Sequence, residues 1–408
     1  MVVAGAGAFG RNHLRVLREL ENAGLGAALV AAVEPNPQRA AETAAQYGIP
    51  VYPGIEALLA ADLRADAACV AVPTIHHHAV SSMLLDAGLD LLVEKPLAAS
   101  LSEADDLIAR AERGSRILQP GHLERFNPAV LAVEPRLTRP MFFEAHRLSI
   151  FTPRSLDVDV VLDLMIHDLD IVLTFARSPV REVRAVGLPI LSPKVDIANV
   201  RVEFESGCVA NFTASRVSTE TVRKLRFFEP RQYVSIDYAR RDLLVIRIDD
   251  SGISRDSSVV GASGAREELA RVAADFLATG KLDANVIQKF VASGKVPAAL
   301  LMKVLAAKND PEKLKEIAKN LSGPIDEPRA KMQGGPAPGL SFVKPDVVPG
   351  EPLRLEILAF LESVRTRTAP RVTAQQGRAA LELALAIQDG MAAHAQRAGL
   401  GDFFKAGA

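Results

Sequence analysis

A glycine-rich turn near the start of the chain constrains the fold more than any other feature. The apolar run Val2-Val3-Ala4 leads into Gly5-Ala6-Gly7-Ala8-Phe9-Gly10, which has glycine at its first, third and sixth positions. A helical pattern follows, and then a second apolar run that ends at Glu34. A strand, a G-x-G-x-x-G turn, a helix and an acidic strand end are together typical of a dinucleotide-binding βαβ unit.

The residues of this turn have distinct predicted roles. Gly5 permits the tight turn, Gly7 lets the backbone approach a pyrophosphate, and Gly10 allows the helix to pack closely on the strand. Ala8 and Phe9 complete the turn, where the positive end of the helix faces the phosphates. The alternative is an alanine-rich and glycine-rich turn without a ligand. Since only four residues precede Gly5, we expect an unusually short first strand or a true N-terminus further upstream.

Glu34 is the residue expected to distinguish NAD from NADP. Its carboxylate is expected to accept hydrogen bonds from the ribose hydroxyls and to repel a 2′-phosphate, so the sequence predicts NAD as the cofactor. The nearby Arg39 keeps NADP as an alternative.

Composition limits the possible partners. A length of 408 residues favours at least two domains. The 48 basic and 49 acidic residues nearly cancel, which argues against nucleic acid or a membrane surface as a partner. The absence of Trp makes stacking on single strands unlikely as a function. Cys69 and Cys208 lack metal-type spacing and are expected to be small buried side chains, which suits the cytoplasm. We expect neither a signal peptide nor a membrane anchor.

Residues 1–119 alternate short apolar runs with helical periodicity, which is typical of a parallel sheet covered by helices. We predict strands over residues 2–4, 28–33, 67–72 and 90–93, with helices over residues 13–23 and 37–47. A further helix is predicted to begin at Ser102, capped by Ser100 or by Ser102 itself. This part is therefore expected to be a Rossmann domain.

Longer alternating segments follow, and they predict a mostly antiparallel sheet with strands over residues 141–149, 199–204, 208–215 and 233–236. One helix over residues 159–175 interrupts the sheet, and another over residues 374–397 closes the fold. The predicted fold class is α/β, with a Rossmann domain over residues 1–119 and a C-terminal α+β domain over residues 120–253 and 339–400.

Residues 254–338 differ from the segments around them, because their sequence lacks the alternating apolar pattern of strands. Four short helical patterns, over residues 265–279, 284–293, 297–308 and 311–321, precede a stretch rich in glycine and proline. We predict a small helical insertion of unknown role.

Glu94-Lys95-Pro96 follows an apolar strand, so Lys95 is expected at the carboxyl end of the parallel sheet, where ligands bind in such folds. The lysine could hold a substrate hydroxyl and favour its alkoxide. The alternative is a solvated lysine beside a turn-forming proline.

Asp163 and His167 are four residues apart in a helical stretch, so both are expected on one helix face. A histidine can remove a hydroxyl proton near neutral pH, and a carboxylate can orient it. The alternative is an ion pair on the helix surface, but the apolar neighbours favour a functional site.

The segment 121–128 lies where the first domain meets the second, the usual place for a substrate cleft. His122, Arg125 and Asn127 are candidate substrate ligands, and Arg125 could bind a phosphate or form an interdomain salt bridge. The cluster His76-His77-His78 lacks accompanying carboxylate or cysteine ligands, so we expect no metal. His77 is expected near the nicotinamide side of the sheet, with a surface cluster as the alternative.

These motifs together resemble the Gfo/Idh/MocA family of oxidoreductases. The resemblance implies a Rossmann domain followed by a domain with an open-faced antiparallel sheet, which is often used for oligomerisation. It also implies that the reacting sugar lies at Lys95, Asp163 and His167. Contacts to the cofactor are implied for the residues that follow two strand ends: Pro73, Thr74, His77, Glu94 and Lys95.

Narrower motifs resemble the group of this family that oxidises the 3-hydroxyl of UDP-N-acetylglucosamine on the way to amide-linked lipid A. They comprise segments 121–128, 151–154, 196–199 and 214–218. In that group Arg125, Arg154 and Arg216 would suit the diphosphate. The alternatives are a related enzyme for another sugar, cyclitol or nucleotide sugar, and a non-catalytic NAD-binding scaffold whose helical insertion recruits a partner. The insertion itself departs from the family's pattern.

Overall fold

The computed structural model describes residues 1–61, 63–152, 158–248 and 340–400. The N-terminal part is built on a parallel sheet with the strand order β3-β2-β1-β4-β5-β6. Its strands are β1 (Val2–Ala4), β2 (Ala31–Val33), β3 (Val51–Tyr52), β4 (Ala67–Val70), β5 (Asp90–Glu94) and β6 (Leu118–Gly121). This order is that of a dinucleotide-binding Rossmann sheet, so the predicted fold class of this part is confirmed.

Helices connect these strands and cover both faces of the sheet. They are α1 (Gly10–Asn22), α2 (Pro37–Tyr47), α3 (Ile55–Leu59), α4 (His77–Asp86) and α5 (Leu101–Gly114). Helix α2 has the predicted bounds, because the Asn36 side chain caps its start and Gly48, with φ of 62°, ends it. Ser100 caps α5, as predicted, by accepting a hydrogen bond from the Glu103 N–H at 3.3 Å.

The C-terminal part is built on an eight-stranded sheet with the order β14-β13-β12-β11-β7-β10-β9-β8. Strands β7 and β10 run parallel, whereas the pairs β8–β9, β9–β10, β7–β11, β11–β12 and β12–β13 are antiparallel. The strands are β7 (Phe142–Leu148), β8 (Val180–Leu188), β9 (Ile197–Phe204), β10 (Val209–Ser215), β11 (Val222–Glu229), β12 (Gln232–Asp237), β13 (Asp242–Ile248) and β14 (Leu340–Val343). The expectation of a mostly antiparallel sheet is confirmed.

Four further helices complete the described part of the chain: α6 (Pro128–Val133), α7 (Ile166–Ala176), α8 (Pro352–Thr366) and α9 (Ala374–Arg397). Helices α7 and α9 pack on one face of the large sheet, and α8 packs against α1 and β5 of the Rossmann sheet. Helix α9 has the predicted bounds because Thr373 and Gln376 form a capping box at its start. A π-helical turn, Val161–Met165, precedes α7, so the helix predicted over residues 159–175 is not uniformly α-helical.

Aromatic side chains fill the space between α7 and the large sheet. The Phe227 ring lies 5.5 Å from that of Phe143 on the neighbouring strand and 6.0 Å from that of Phe175 on α7. Cys69 and Cys208 are both buried and unpaired by disulfides, as predicted. The ring contacts hold the end of α7 over the sheet.

The opposite face of the large sheet carries a smaller aromatic group. The Phe228 ring lies 5.6 Å from that of Phe142 and 5.1 Å from that of Tyr233. The oligomer implied by the family resemblance stays a prediction, as do the predicted domain boundaries. The predicted insertion over residues 254–338 lies outside the described residues. Across the ranges that the model describes, no helix is both long and apolar enough to cross a membrane.

Candidate active site

The glycine turn forms a cradle with room for a ligand at one position. The Gly5 backbone has φ of +93°, and a Cβ there would lie 2.6 Å from the Ala71 carbonyl oxygen. A Cβ on Gly10 would lie 1.8 Å from the Gly5 carbonyl oxygen, so neither glycine tolerates a side chain. At Gly7, by contrast, a Cβ would meet no atom of the described chain within 4 Å. The first turn of α1 holds no acidic residue, so this open space fits a pyrophosphate at a helix N-terminus.

Glu34 closes the other end of the cradle. Its carboxylate accepts hydrogen bonds from the N–H groups of Ala6 and Asn36 at 3.0 and 2.9 Å, and from the Arg39 guanidinium at 2.9 Å. Burial alone would raise the pKa of Glu34, but these three donors outweigh it and lower the pKa. The side chain is therefore a fixed anion at the end of β2, where it can accept hydrogen bonds from ribose hydroxyls.

Lys95 follows the last residue of β5 and reaches the π-helical turn. Its ammonium group donates hydrogen bonds to the carbonyl oxygens of Asp163 at 2.6 Å and Leu162 at 3.3 Å. One carboxylate oxygen of Asp163 lies 3.9 Å from the same nitrogen. Burial lowers the pKa of Lys95, opposed by the carboxylates of Asp163 and Glu94 and aided by the charge of Arg147. The predicted site residues Lys95 and Asp163 are thus brought together.

The pairing of Asp163 with His167 differs from our expectation. The π-helical turn between them changes the spacing of side chains, and Asp163 faces Lys95 instead. Within the described chain, Nδ1 of His167 is buried without a hydrogen-bond partner. Burial holds the pKa of His167 well below its usual range, and the charges of Lys95, Arg147, His122 and Arg223 lower it further. These surroundings favour the neutral imidazole, which has a ring nitrogen free to accept a proton.

A buried ion pair beside His167 fixes the start of α7. The Arg147 guanidinium on β7 donates two hydrogen bonds to the Asp168 carboxylate, at 2.7 and 3.0 Å. It also donates to Glu124 at 3.1 Å and lies 5.1 Å from the ring centroid of Tyr238. Our sequence analysis did not single out Arg147, because a lone arginine in an alternating strand gives no signal of a buried partner.

The candidate ligands in segment 121–128 lie in the interior. The Arg125 guanidinium donates to the Thr174 hydroxyl and lies 3.5 Å from the Asp170 carboxylate. Asn127 caps α6 through the Ala129 N–H and donates to the Tyr238 carbonyl oxygen at 3.1 Å. Both side chains therefore hold the junction between the two sheets, and their contacts with substrate stay predictions.

Arg216 is likewise buried. Its guanidinium donates to the carbonyl oxygens of Val158 and Val195 and lies 3.4 Å from the Asp196 carboxylate. It thus ties the segment before the π-helical turn to the loop before β9. Its predicted contact with a diphosphate stays a prediction, and Arg154 lies outside the described residues.

His77 links the loops that follow β4 and β5. Its Nδ1 lies 2.8 Å from the Pro96 carbonyl oxygen and its Nε2 lies 3.0 Å from that of Val72. Burial lowers the pKa of His77. Pro73 and Thr74 begin the short turn that leads to this histidine. His77 thus holds together the strand ends that border the cradle, and a direct contact with nicotinamide stays a prediction.

Several buried polar residues were missed by the sequence analysis. Glu356 on α8 is fully buried, with no hydrogen-bond partner on either carboxylate oxygen in the described chain. Burial raises the pKa of Glu356 well above its usual range, and the neighbouring Glu94 raises it further. His13 on α1 lies 2.7 Å from Glu94. The described residues hold no group of three or more side chains that could bind a metal ion.

Comparison with known proteins identifies the family. The family model for the Gfo/Idh/MocA oxidoreductases with an NAD-binding Rossmann fold matches residues 1–122, and the model for their C-terminal domain matches residues 129–229. The chain belongs to the Gfo/Idh/MocA family. It is therefore an oxidoreductase with an NAD-binding Rossmann domain, as predicted.

A UDP-N-acetylglucosamine 3-dehydrogenase from Acidithiobacillus ferrooxidans is 35% identical over 66% of this chain and 82% of its own length. The crystal structure of that dehydrogenase matches with a TM-score of 0.70 and covers 96% of this chain and 97% of its own. A scyllo-inositol 2-dehydrogenase from Bacillus subtilis is 26% identical over 53% of this chain and 67% of its own length.

The cradle geometry predicts how cofactor preference responds to Glu34→Ala. Loss of the carboxylate removes an acceptor for ribose hydroxyls and frees Arg39 for a 2′-phosphate, so the ratio of NAD to NADP affinity should fall by about tenfold or more. Calorimetric titration of both cofactors measures this ratio. Glu42→Ala on the exposed face of α2 serves as the matched control. An unchanged ratio in the Glu34 variant would show that Glu34 does not select the cofactor.

Proposed function

We propose that this enzyme is a sugar dehydrogenase that oxidises the 3-hydroxyl of UDP-N-acetylglucosamine to a ketone with NAD. The observation that carries this proposal is the 35% identity to a UDP-N-acetylglucosamine 3-dehydrogenase over 82% of that relative. The placement of Lys95 at the carboxyl end of β5, against the π-helical turn before α7, supports it. The product would serve a route to amide-linked lipid A.

The proposed reaction uses two groups that lie at the meeting point of the two sheets. Bound NAD supplies the hydride acceptor. His167 takes the proton of the sugar hydroxyl, because burial favours its neutral imidazole, which has a ring nitrogen free to accept it. Lys95 stabilises the negative charge that develops on the same oxygen. The C–H bond gives its electron pair and hydrogen to the cofactor, and the C–O bond becomes a carbonyl.

Asp163 has a proposed role that differs from the one expected from the sequence. Since its carboxylate lies 3.9 Å from the Lys95 ammonium, it helps to hold that ammonium in place and protonated. The carbonyl oxygens of Asp163 and Leu162 fix the same group by hydrogen bonds. The main alternative exchanges the roles, with Lys95 as the base and His167 as a positioning group.

A different sugar or cyclitol is the competing substrate, as the inositol dehydrogenase relatives suggest. A non-catalytic scaffold is disfavoured, since Lys95 and Asp163 lie together and the charge of Lys95 acts on His167. In that alternative, the insertion over residues 254–338 would recruit the partner. These residues lie outside the described part of the chain.

The direct test is NADH formation by the purified protein with a panel of sugars. UDP-N-acetylglucosamine should support NADH formation, whereas free N-acetylglucosamine and myo-inositol should not. Lys95→Ala should lower kcat by at least about a hundredfold with little change in NAD affinity, because the lysine acts on the reacting oxygen.

Lys344→Ala is the matched control, since that lysine is 72% exposed near β14. Full turnover in the Lys95 variant would disprove the role of Lys95. If NADH formed with myo-inositol but not with UDP-N-acetylglucosamine, the substrate would be a cyclitol and not a nucleotide sugar.

The pH dependence of kcat/KM distinguishes the two role assignments. With His167 as the base, the rate should stay level through neutral pH and fall in acid, because the pKa of His167 lies well below its usual value. It should also fall in alkali as Lys95 loses its proton, and Lys95→Arg should move this alkaline fall to higher pH. If Lys95 were the base, the rate would instead rise with pH, and the arginine variant would be inactive.

A further inference from the structure

His122 and Asp170 form a buried pair with unused hydrogen-bonding capacity. Both ring nitrogens of His122 and one carboxylate oxygen of Asp170 have no hydrogen-bond partner within the described chain. The exposed fractions of the two residues are 1% and 2%. Their facing atoms, Nδ1 of His122 and Oδ2 of Asp170, are 3.9 Å apart. Because unpaired buried polar atoms are costly, ordered water is the expected partner of this pair.

His122, one member of this pair, lies beside the candidate catalytic residue Lys95. Strands β5 and β6 are parallel neighbours, and their register pairs Glu94 with Gly121. Lys95 and His122 are the next residues on the two strands, so they leave the sheet side by side. The charge of His122 also acts on His167. His122 is thus close to both groups that contact the sugar in the proposed reaction.

Asp170, the other member of the pair, reaches a cavity on the far side of α7. This cavity, of about 530 Å³, lies between α7, β8 and α9. Asp170 and Thr174 line this cavity together with the exposed residues Pro179 and Glu382. The buried Asp170 therefore lies between His122 and the cavity.

Helix α9 packs over His122. A Cβ on Gly377 would lie 2.4 Å from the Pro120 side chain and 3.8 Å from Nε2 of His122. The absence of a side chain at Gly377 thus lets α9 pack directly over the histidine. The neighbouring Gln376 lines the cavity.

The charges around His122 suit a group that passes a proton on. Burial lowers the pKa of His122, opposed by the carboxylates of Asp170 and Glu94 and aided by the charges of Arg125 and Lys95. A neutral imidazole can accept a proton on one nitrogen and release one from the other. The Arg125 guanidinium lies 3.5 Å from the other carboxylate oxygen of Asp170 and leaves the oxygen that faces His122 unpaired in the described chain.

We propose that His122 and Asp170 form a relay that carries the proton of each turnover from the catalytic groups to the cavity. Oxidation of a secondary alcohol by NAD yields a ketone, NADH and one proton. The proton taken from the hydroxyl passes through water to His122, the opposite ring nitrogen releases one to water at Asp170, and cavity water takes it up. The inference rests on the proposed dehydrogenase function, and His122 acts here through the catalytic groups.

The kinetic test separates hydride transfer from proton release. With His122→Asn, single-turnover NADH formation should stay close to that of the unaltered enzyme, while steady-state turnover should fall by about tenfold or more. Added imidazole should restore the turnover, because a diffusible base can enter through the cavity. Asp170→Asn should behave in the same way. Since Asp170 also pairs with Arg125, the histidine variant is the primary one.

His78→Gln, on the surface of α4, is the control and should keep normal kinetics without any response to imidazole. A purely structural role of His122 would lower the single-turnover and steady-state rates together, with no rescue by imidazole. That result would overturn the relay, as would an unchanged steady-state rate. The test uses whichever sugar the unaltered enzyme oxidises.

A high-resolution crystal structure of the unaltered protein decides the relay independently of activity. The relay requires ordered water between His122 and Asp170 and from His122 to Lys95 or His167. A dry gap in either place would overturn it. If no sugar in the panel reduced NAD, the proposed function would fail, and this structure would still decide whether a continuous path exists.

Discussion

The two-bond ion pair between Arg147 and Asp168 is the interaction on which the candidate active site depends. It joins β7 of the large sheet to the first turn of α7, directly beside His167. The π-helical turn is thereby held where its carbonyl oxygens meet Lys95 of the Rossmann sheet. Removing one partner of such a buried pair typically costs about 3–5 kcal/mol, because the other charge stays buried. The geometry of the site is thus tied to the folding of both sheets.

The elements with local signals could be predicted from the sequence. The Gly5 to Gly10 turn, the capped helix α2 and the helix α9 have strong start and stop residues, and their positions are confirmed. Strand β6 was missed because it contains Pro120, which an edge strand tolerates. Strand β11 was missed because alternating charged residues hide its apolar face.

The chemistry of the site depends on contacts that no local pattern contains. The π-helical turn places Asp163 beside Lys95. The α-helical spacing of the sequence had predicted that Asp163 would orient His167. Arg125 and Arg216 were expected at a diphosphate, with an interdomain salt bridge as the alternative for Arg125, and folding brings a buried carboxylate to each. The pairing of His122 with Asp170 joins residues 48 positions apart and follows from the packing of α7 against the short turn after β6. Sequence predicted which residue types gather at the site, and tertiary packing decides their partners.

In the proposed reaction, hydride leaves C3 of the nucleotide sugar. Mass spectrometry of the cofactor after reaction with UDP-N-acetylglucosamine deuterated at C3 tests it most directly. Hydride transfer from C3 gives one deuterium in the NADH formed and leaves the ketone product without the label. NADH without deuterium, together with a labelled sugar product, would show oxidation at another carbon and contradict the account.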